Sequence, residues 1–152
     1  MTYASALNGA SPLPREVVIV GGGAIGCELA LHLAETGHGV TVMEMLEAAG
    51  AQYEAMTRKL ILDRIHTLGI KLMTRCRITR LEGRDVLFVD PQGEERAMRA
   101  GAVIMAIGTQ PENGLYRPLL EARLDVHKIG DCLEPRGLKE AMYEGALVGR
   151  SI

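Results

Sequence analysis

The chain has 152 residues, of which 47% are hydrophobic and 24% charged, with a formal charge of −2. That length suits one domain with a sizeable core, and the balance excludes global disorder and gives no electrostatic reason to expect nucleic acid or an anionic membrane as partner. No apolar run approaches the ~20 residues of a transmembrane helix, and the first fourteen residues lack the basic start and apolar core of a signal peptide, so a cytoplasmic setting is expected.

In chain order, residues 1–14 carry Asn8-Gly9, Pro12 and Pro14, the marks of a connecting segment rather than an element of the core. Val17–Val20 is a β-branched run of the kind that a parallel strand buried on both faces requires. Gly21, Gly22, Gly23, Ala24, Ile25 and Gly26 follow, and a helical pattern begins at once, with Ile25, Leu29, Leu33 and Ala34 near helical spacing and a stop at Gly37 and Gly39. Val40–Met43 reads as a second strand that ends at Glu44. A G-x-G-x-x-G turn between strand and helix lets bare amides approach a diphosphate at a helix N-terminus, and an acid after the second strand meets the adenosine ribose hydroxyls. Packing alone could account for the glycines, and Glu44 could be a solvated strand-end acid. A methyltransferase-type domain also pairs a glycine turn with an acid, although the tight GGGAIG spacing favours a dinucleotide. With Met43 and Met45 beside Glu44 and no arginine before Arg58, NAD(H) is favoured over NADP(H).

The spacing predicts a helix over Glu54–Leu68, with an apolar stripe of Met56, Leu60, Ile61, Ile65 and Leu68, closed by Gly69. Ile70–Met73 would be a third parallel strand. Cys76–Leu81, Val86–Val89 and Arg96–Arg99 then read as a three-stranded antiparallel meander with a turn at Asp90-Pro91-Gln92-Gly93. Ala102–Ile107 would return to the sheet. The expected fold is α/β: a Rossmann-like doubly wound parallel sheet with a meander crossover. Further on, Asp125–Ile129 is a strand candidate ended by Gly130-Asp131, and Pro135–Ile152 reads as a final helix with Leu138, Ala141, Met142, Gly145 and Val148 at helical intervals. Strand, acid and helix recreate half of a nucleotide-binding crevice.

Cys27, Cys76 and Cys132 are isolated and the four histidines are scattered, so neither a metal site nor a nucleophile with its base is expected. Cys27 follows the glycine turn and reads as buried packing rather than an activated thiol. Any chemistry here belongs to a cofactor.

Three segments together resemble the nucleotide-binding part of two-dinucleotide flavoprotein oxidoreductases, most nearly the C-terminal part of NADH:flavin oxidoreductases of the 2,4-dienoyl-CoA reductase and trimethylamine dehydrogenase type. They are Val17–Glu44, AIGTQPEN at Ala106–Asn113, and Ile129–Ile152. The resemblance implies that Gly21, Gly23, Gly26 and Glu44 bind the coenzyme's adenosine half and diphosphate. It makes Ala106 and Gly108 part of a crossover between nicotinamide and flavin domains; Gly108, Pro111 and Asn113 match that motif, with Glu112 inserted as a departure at Asn113. Gly130 and Asp131 match the position where an aspartate bonds the ribityl chain of FAD, although Asp131 could instead cap the last helix. Glu28 also occurs in disulfide-reductase relatives, and a solvated helix position explains it equally.

The resemblance thus implies three regions: a connector over 1–14, an NAD(H)-binding domain over 15–108, and over 109–152 the return segment of a flavin domain whose other half is missing. Relatives of the dienoyl-CoA reductase type also carry FMN and an iron–sulfur cluster upstream. The expectation is a fragment that binds NADH, with hydride passing from NADH to FAD only in the intact protein. Alternatives are a fragment of a disulfide or ferredoxin-type reductase, and a non-catalytic nucleotide-binding module. The final helix, without its sheet, should pack back on the domain or pair with a second copy.

Overall fold

The computed structural model describes residues 1–8 and 12–152, which form two compact units, Met1–Gly108 and Thr109–Ile152. Part of the expected Asn8-Gly9 turn lies outside the described residues.

The first unit is built on four parallel strands, β1 (Glu16–Val20), β2 (Gly39–Met43), β3 (Lys71–Met73) and β7 (Ala102–Met105), in the order β3-β2-β1-β7. Its helices are α1 (Tyr3–Leu7), α2 (Ala24–Glu35) and α3 (Ala55–Thr67). The strands β4 (Arg77–Glu82), β5 (Asp85–Val89) and β6 (Glu95–Arg99) form a separate antiparallel sheet. This meander occupies the connection from β3, at one edge of the parallel sheet, to β7, at the other.

Two apolar clusters explain why β1 is apolar at every position but its first. Val17 and Ile19 join Leu29, Ala30 and Leu33 of α2 and Ile65 of α3 in one cluster, whereas Val18 joins Met43 and the meander's Val86 and Phe88 in the other. Alternate side chains point to opposite faces, so helices cover one face and the meander the other. Both long helices end alike: the amides of Gly37 and His38 donate to Ala34 and Leu33, and those of Gly69 and Ile70 to His66 and Ile65. These paired bonds are Schellman closures, which satisfy the last helical carbonyls and release the chain into a strand.

Residues 1–8 are more than a connector. Thr2 caps α1 by accepting a bond from the amide of Ser5 at 3.3 Å, and Ala6 is buried in the helix-side cluster. The Met1 ammonium donates to the Val103 carbonyl and the Met105 amide donates to Met1, so the chain start pairs with the open side of β7. An edge strand offers unpaired backbone groups, and this segment takes them up. Within α3 the stripe also shifts: Met56 and Leu60 are exposed, while Ile61, Leu62 and Leu68 pack with Ile65. The 3.6-residue turn carries Met56 and Leu60 to the flank of the face that Ile61, Ile65 and Leu68 share.

The second unit holds α4 (Tyr116–Glu121), a 3-10 turn at Gly130–Cys132 and α5 (Leu138–Val148). Asp125–Ile129 is not a strand, since the described residues of this unit offer no strand for it to pair with. The last helix begins with its apolar pattern at Leu138, later than the expected Pro135, at an N-cap on Gly137. Leu138 and Met142 are exposed on it, and Gly130 is the one buried residue among the described residues of the unit.

Candidate functional site

Parallel register brings the expected site together in the first unit. Val20 is level with Met43 on one side and Met105 on the other, so Gly21, Glu44 and Ala106 leave the sheet side by side at its C-terminal edge. Backbone bonds fix them there: the Gly21 amide donates to Met43, the Ala106 amide to Val20 and the Glu44 amide to Met73, each at 2.8 Å.

The glycines are required by contact. Gly21 has φ of 105°, and a Cβ on it would come within 2.4 Å of the Ala106 carbonyl oxygen. A Cβ on Gly26 would stand 1.9 Å from the Gly21 carbonyl oxygen, so no side chain fits where α2 crosses the turn. The first amides of a helix have no partner within it. Of those in α2, Ala24 donates to Gln52 Oε1 at 3.1 Å, while the amides of Gly23 and Ile25 have no acceptor among the described residues. Bare amides, the positive end of a 12-residue helix and a cradle without Cβ atoms are together able to receive an anionic group.

Glu44 is held on its own strand end by two amides. Gly22 donates to Oε2 at 2.6 Å and Leu46 to Oε1 at 2.7 Å. Each carboxylate oxygen keeps further accepting capacity, which suits the two hydroxyls of a ribose. Arg75, which the sequence reading missed, donates its amide to the Leu46 carbonyl, and its guanidinium is paired with Glu47. The Arg75 guanidinium of this hydrogen-bonded loop is thus already engaged by a carboxylate.

Behind the turn, Cys27 is fully buried and its thiol donates to the Gly22 carbonyl at 3.3 Å. Burial, then the charges of Glu44 and Glu28, push its pKa up to about 11, which leaves a neutral packing residue. Burial also raises Cys76. The loop after Glu44 folds back on the glycines: the Gly50 amide donates to Gly22 at 2.7 Å and Arg58 Nε to the Ala49 carbonyl at 2.8 Å. Tyr53 Oη stands 3.0 Å from the Ala24 carbonyl and 2.9 Å from Glu28 Oε1. Its pKa is raised, chiefly by burial and then by the bond to Glu28, so the phenol stays protonated. Glu28 is therefore tied to the loop while it remains exposed. Gly50, Gln52 and Tyr53 escaped the sequence reading; the one hint was the stretch AAGAQY, small residues and a polar pair where a plain linker would do.

Gly108 closes the first unit with φ of 106° and open space around it, next to an exposed Ile107. The inserted Glu112 accepts from the Gly114 amide at 3.0 Å, and the carbonyl of Asn113 receives the Tyr116 amide, so both shape the entry to α4.

In the second unit Gly130 and Asp131 lie in the 3-10 turn. The Gly130 amide donates to Glu144 Oε2 at 2.6 Å, and Arg136 pairs with the same carboxylate. The bond from Gly130, then the one from Arg136, hold Glu144 below the usual carboxylate range. Asp131 is exposed with no partner among the described residues, and it does not cap α5, whose N-cap is Gly137 without a side-chain bond. A free carboxylate can accept from hydroxyls, and an uncapped helix start attracts an anion. No group of His, Cys, Asp and Glu among the described residues is arranged to hold a metal ion, and none of their helices is long and apolar enough to cross a membrane.

Known proteins resemble this chain over most of its length. The family model described as pyridine nucleotide-disulphide oxidoreductase matches residues 2–142. An NADH oxidase of Thermoanaerobacter brockii is 36% identical over 139 residues, 91% of this chain and 21% of that protein. Among solved structures, a complex of 2-naphthoyl-CoA reductase superposes on 100% of this chain and 23% of its own, with a TM-score of 0.92 at 26% identity. Thioredoxin reductase of T. acidophilum covers 72% of this chain and 36% of its own, with a TM-score of 0.61 at 23% identity, a likeness of fold alone. The chain spans 20% to 37% of the length of curated relatives that it matches.

Proposed function

From the premise that this chain belongs to the pyridine nucleotide-disulphide oxidoreductase family, we propose that residues 15–108 bind NADH and that 109–152 carry part of a flavin site. The observation that carries the reading is the cradle itself: Gly21, Glu44 and Ala106 abreast, Gly22 bonded to Glu44, and free amides at Gly23 and Ile25. The diphosphate would rest on the amides of Gly23, Ala24 and Ile25, with Gly26 letting the helix approach. Glu44 would take the adenosine ribose, and Ala106 and Gly108 would line the approach of the nicotinamide half. Bound there in the intact protein, NADH would supply a hydride to FAD held by Asp131 and the start of α5.

Glu44 supports NADH over NADPH, since its carboxylate would repel a 2′-phosphate and Arg75 is paired with Glu47. The full-length superposition on a CoA-ester reductase supports the NADH:flavin type. The raised, buried thiols of Cys27 and Cys76 speak against a disulfide-reductase centre in the first unit. Isothermal titration of NADH, NADPH, FAD and S-adenosylmethionine into the chain tests the reading. NADH should bind most tightly, and binding of S-adenosylmethionine without NADH would overturn it.

A further inference from the structure

We propose that the carboxamide of Gln52 is a displaceable cap on α2, seated where the coenzyme diphosphate must bind, and that it sets the affinity of the site. The inference rests on the nucleotide reading above and adds a residue that the glycine motif does not contain.

Gly23 stands at the N-cap of α2 and has no side chain with which to satisfy the helix start. Gln52, from the far end of the loop after Glu44, does so instead: its Oε1 accepts the Ala24 amide at 3.1 Å. The carboxamide presents its oxygen and nitrogen edge to the bare side of Gly23, where a Cβ would meet Oε1 at 3.0 Å and Nε2 at 3.1 Å. Those amides are the ones offered to a diphosphate, and a carboxamide oxygen and a phosphate oxygen cannot both occupy the line of one N–H.

The loop does not depend on this contact. Gly50 to Gly22, Tyr53 to Ala24 and Glu28, and Arg58 to Ala49 hold it independently. Gln52 is exposed, so its side chain can turn into solvent while the backbone stays in place. A neutral, exposed hydrogen bond is worth little and a charge-assisted bond to a phosphate more, so the coenzyme should win the exchange at a cost in affinity. Removing the carboxamide should therefore tighten binding and loosen the free helix start, whereas a carboxylate there should do the reverse.

The test is titration of NADH into the wild-type chain, Gln52→Ala and Gln52→Glu, with the exchange rate of the Ala24 amide followed in the free proteins. Gln52→Ala should bind NADH about three- to tenfold more tightly, with faster Ala24 exchange. Gln52→Glu should bind it at least about tenfold more weakly, with slower exchange. If the wild type binds NADH and Gln52→Ala binds it equally or more weakly, the carboxamide is no competitor and the proposal fails while the nucleotide reading stands. If none of the three proteins binds NADH, the nucleotide reading fails and this inference with it.

Discussion

The two units solve the same problem of burying apolar surface with opposite success. In Met1–Gly108 the parallel sheet is covered on both faces, and Ile19, Val42 and Ile104 are wholly buried. In Thr109–Ile152 the apolar side chains of Leu138, Met142 and Leu147 are exposed, and the bonds that gather the 3-10 turn to α5 are polar, running from Gly130 and Arg136 to Glu144. A core built on local and long-range apolar contact supports cooperative stability; a polar clasp without one does not. The half of the molecule that carries the dinucleotide cradle is thus the half able to hold a rigid geometry by itself.

The widest gap between the units should appear in hydrogen exchange. Amides of β1, β2 and β7 should exchange only through global opening, and those of α5 through local opening, about three orders of magnitude faster. Equal protection in α5 and β1 would show that the second unit draws on stability its own residues do not reveal.

Substitution tests the same contrast one residue at a time. Ile104→Ala removes a wholly buried side chain from the middle of β7 and should cost about 2–5 kcal/mol in denaturant unfolding. Met142→Ala, on an exposed stretch of α5, should stay within about 0.5 kcal/mol. A large loss at Met142 would mean that the face is covered in solution, by the chain itself or by a second copy.

Much of the first unit was legible because its physics is local and periodic. An unbroken apolar β1 announced a strand covered twice, the glycines announced a close approach, and Glu44 fell at the end of its strand. The sequence reading failed where a partner decides the outcome. Residues 1–8 gained a helix and a place beside β7 because an open sheet edge was available, and Asp125–Ile129 lost its strand because none was. Gln52, Tyr53 and Arg75 reach the site through loop bonds that no spacing rule encodes. Glu144, 14 residues beyond Gly130, meets it through a bond that no spacing rule encodes.

Within Met1–Gly108, Glu44 gives the next effect. Glu44→Arg would lose the carboxylate held by Gly22 and Leu46 and place a cation beside the ribose. NADH affinity should fall about tenfold or more, and the preference over NADPH should narrow or invert. Glu44→Gln, which keeps an acceptor for the amides, should weaken NADH less. An unchanged NADH-to-NADPH ratio in Glu44→Arg would remove Glu44 from the ribose site.

The smallest effect concerns acid, and it separates the units by what stands behind their carboxylates. Glu144 is held below its ordinary value, first by the Gly130 amide and then by Arg136, and Asp90 likewise by the Glu94 amide of its hairpin and by Arg96. A carboxyl whose folded pKa is depressed adds stability that is complete above its unfolded value and is lost as pH falls through the folded one. Both contributions should therefore fade below about pH 4. Asp90 closes a hairpin whose Val86 and Phe88 remain buried against β1 and β2, so the meander should keep its amide pattern. Glu144 has no such core at its back, so amide resonances of Gly130 and α5 should shift and broaden first on acidification. Glu144→Gln should show that altered pattern already at neutral pH and lose its dependence on acid, whereas an α5 indifferent to both pH and this substitution would mean that something other than the polar clasp holds the second unit.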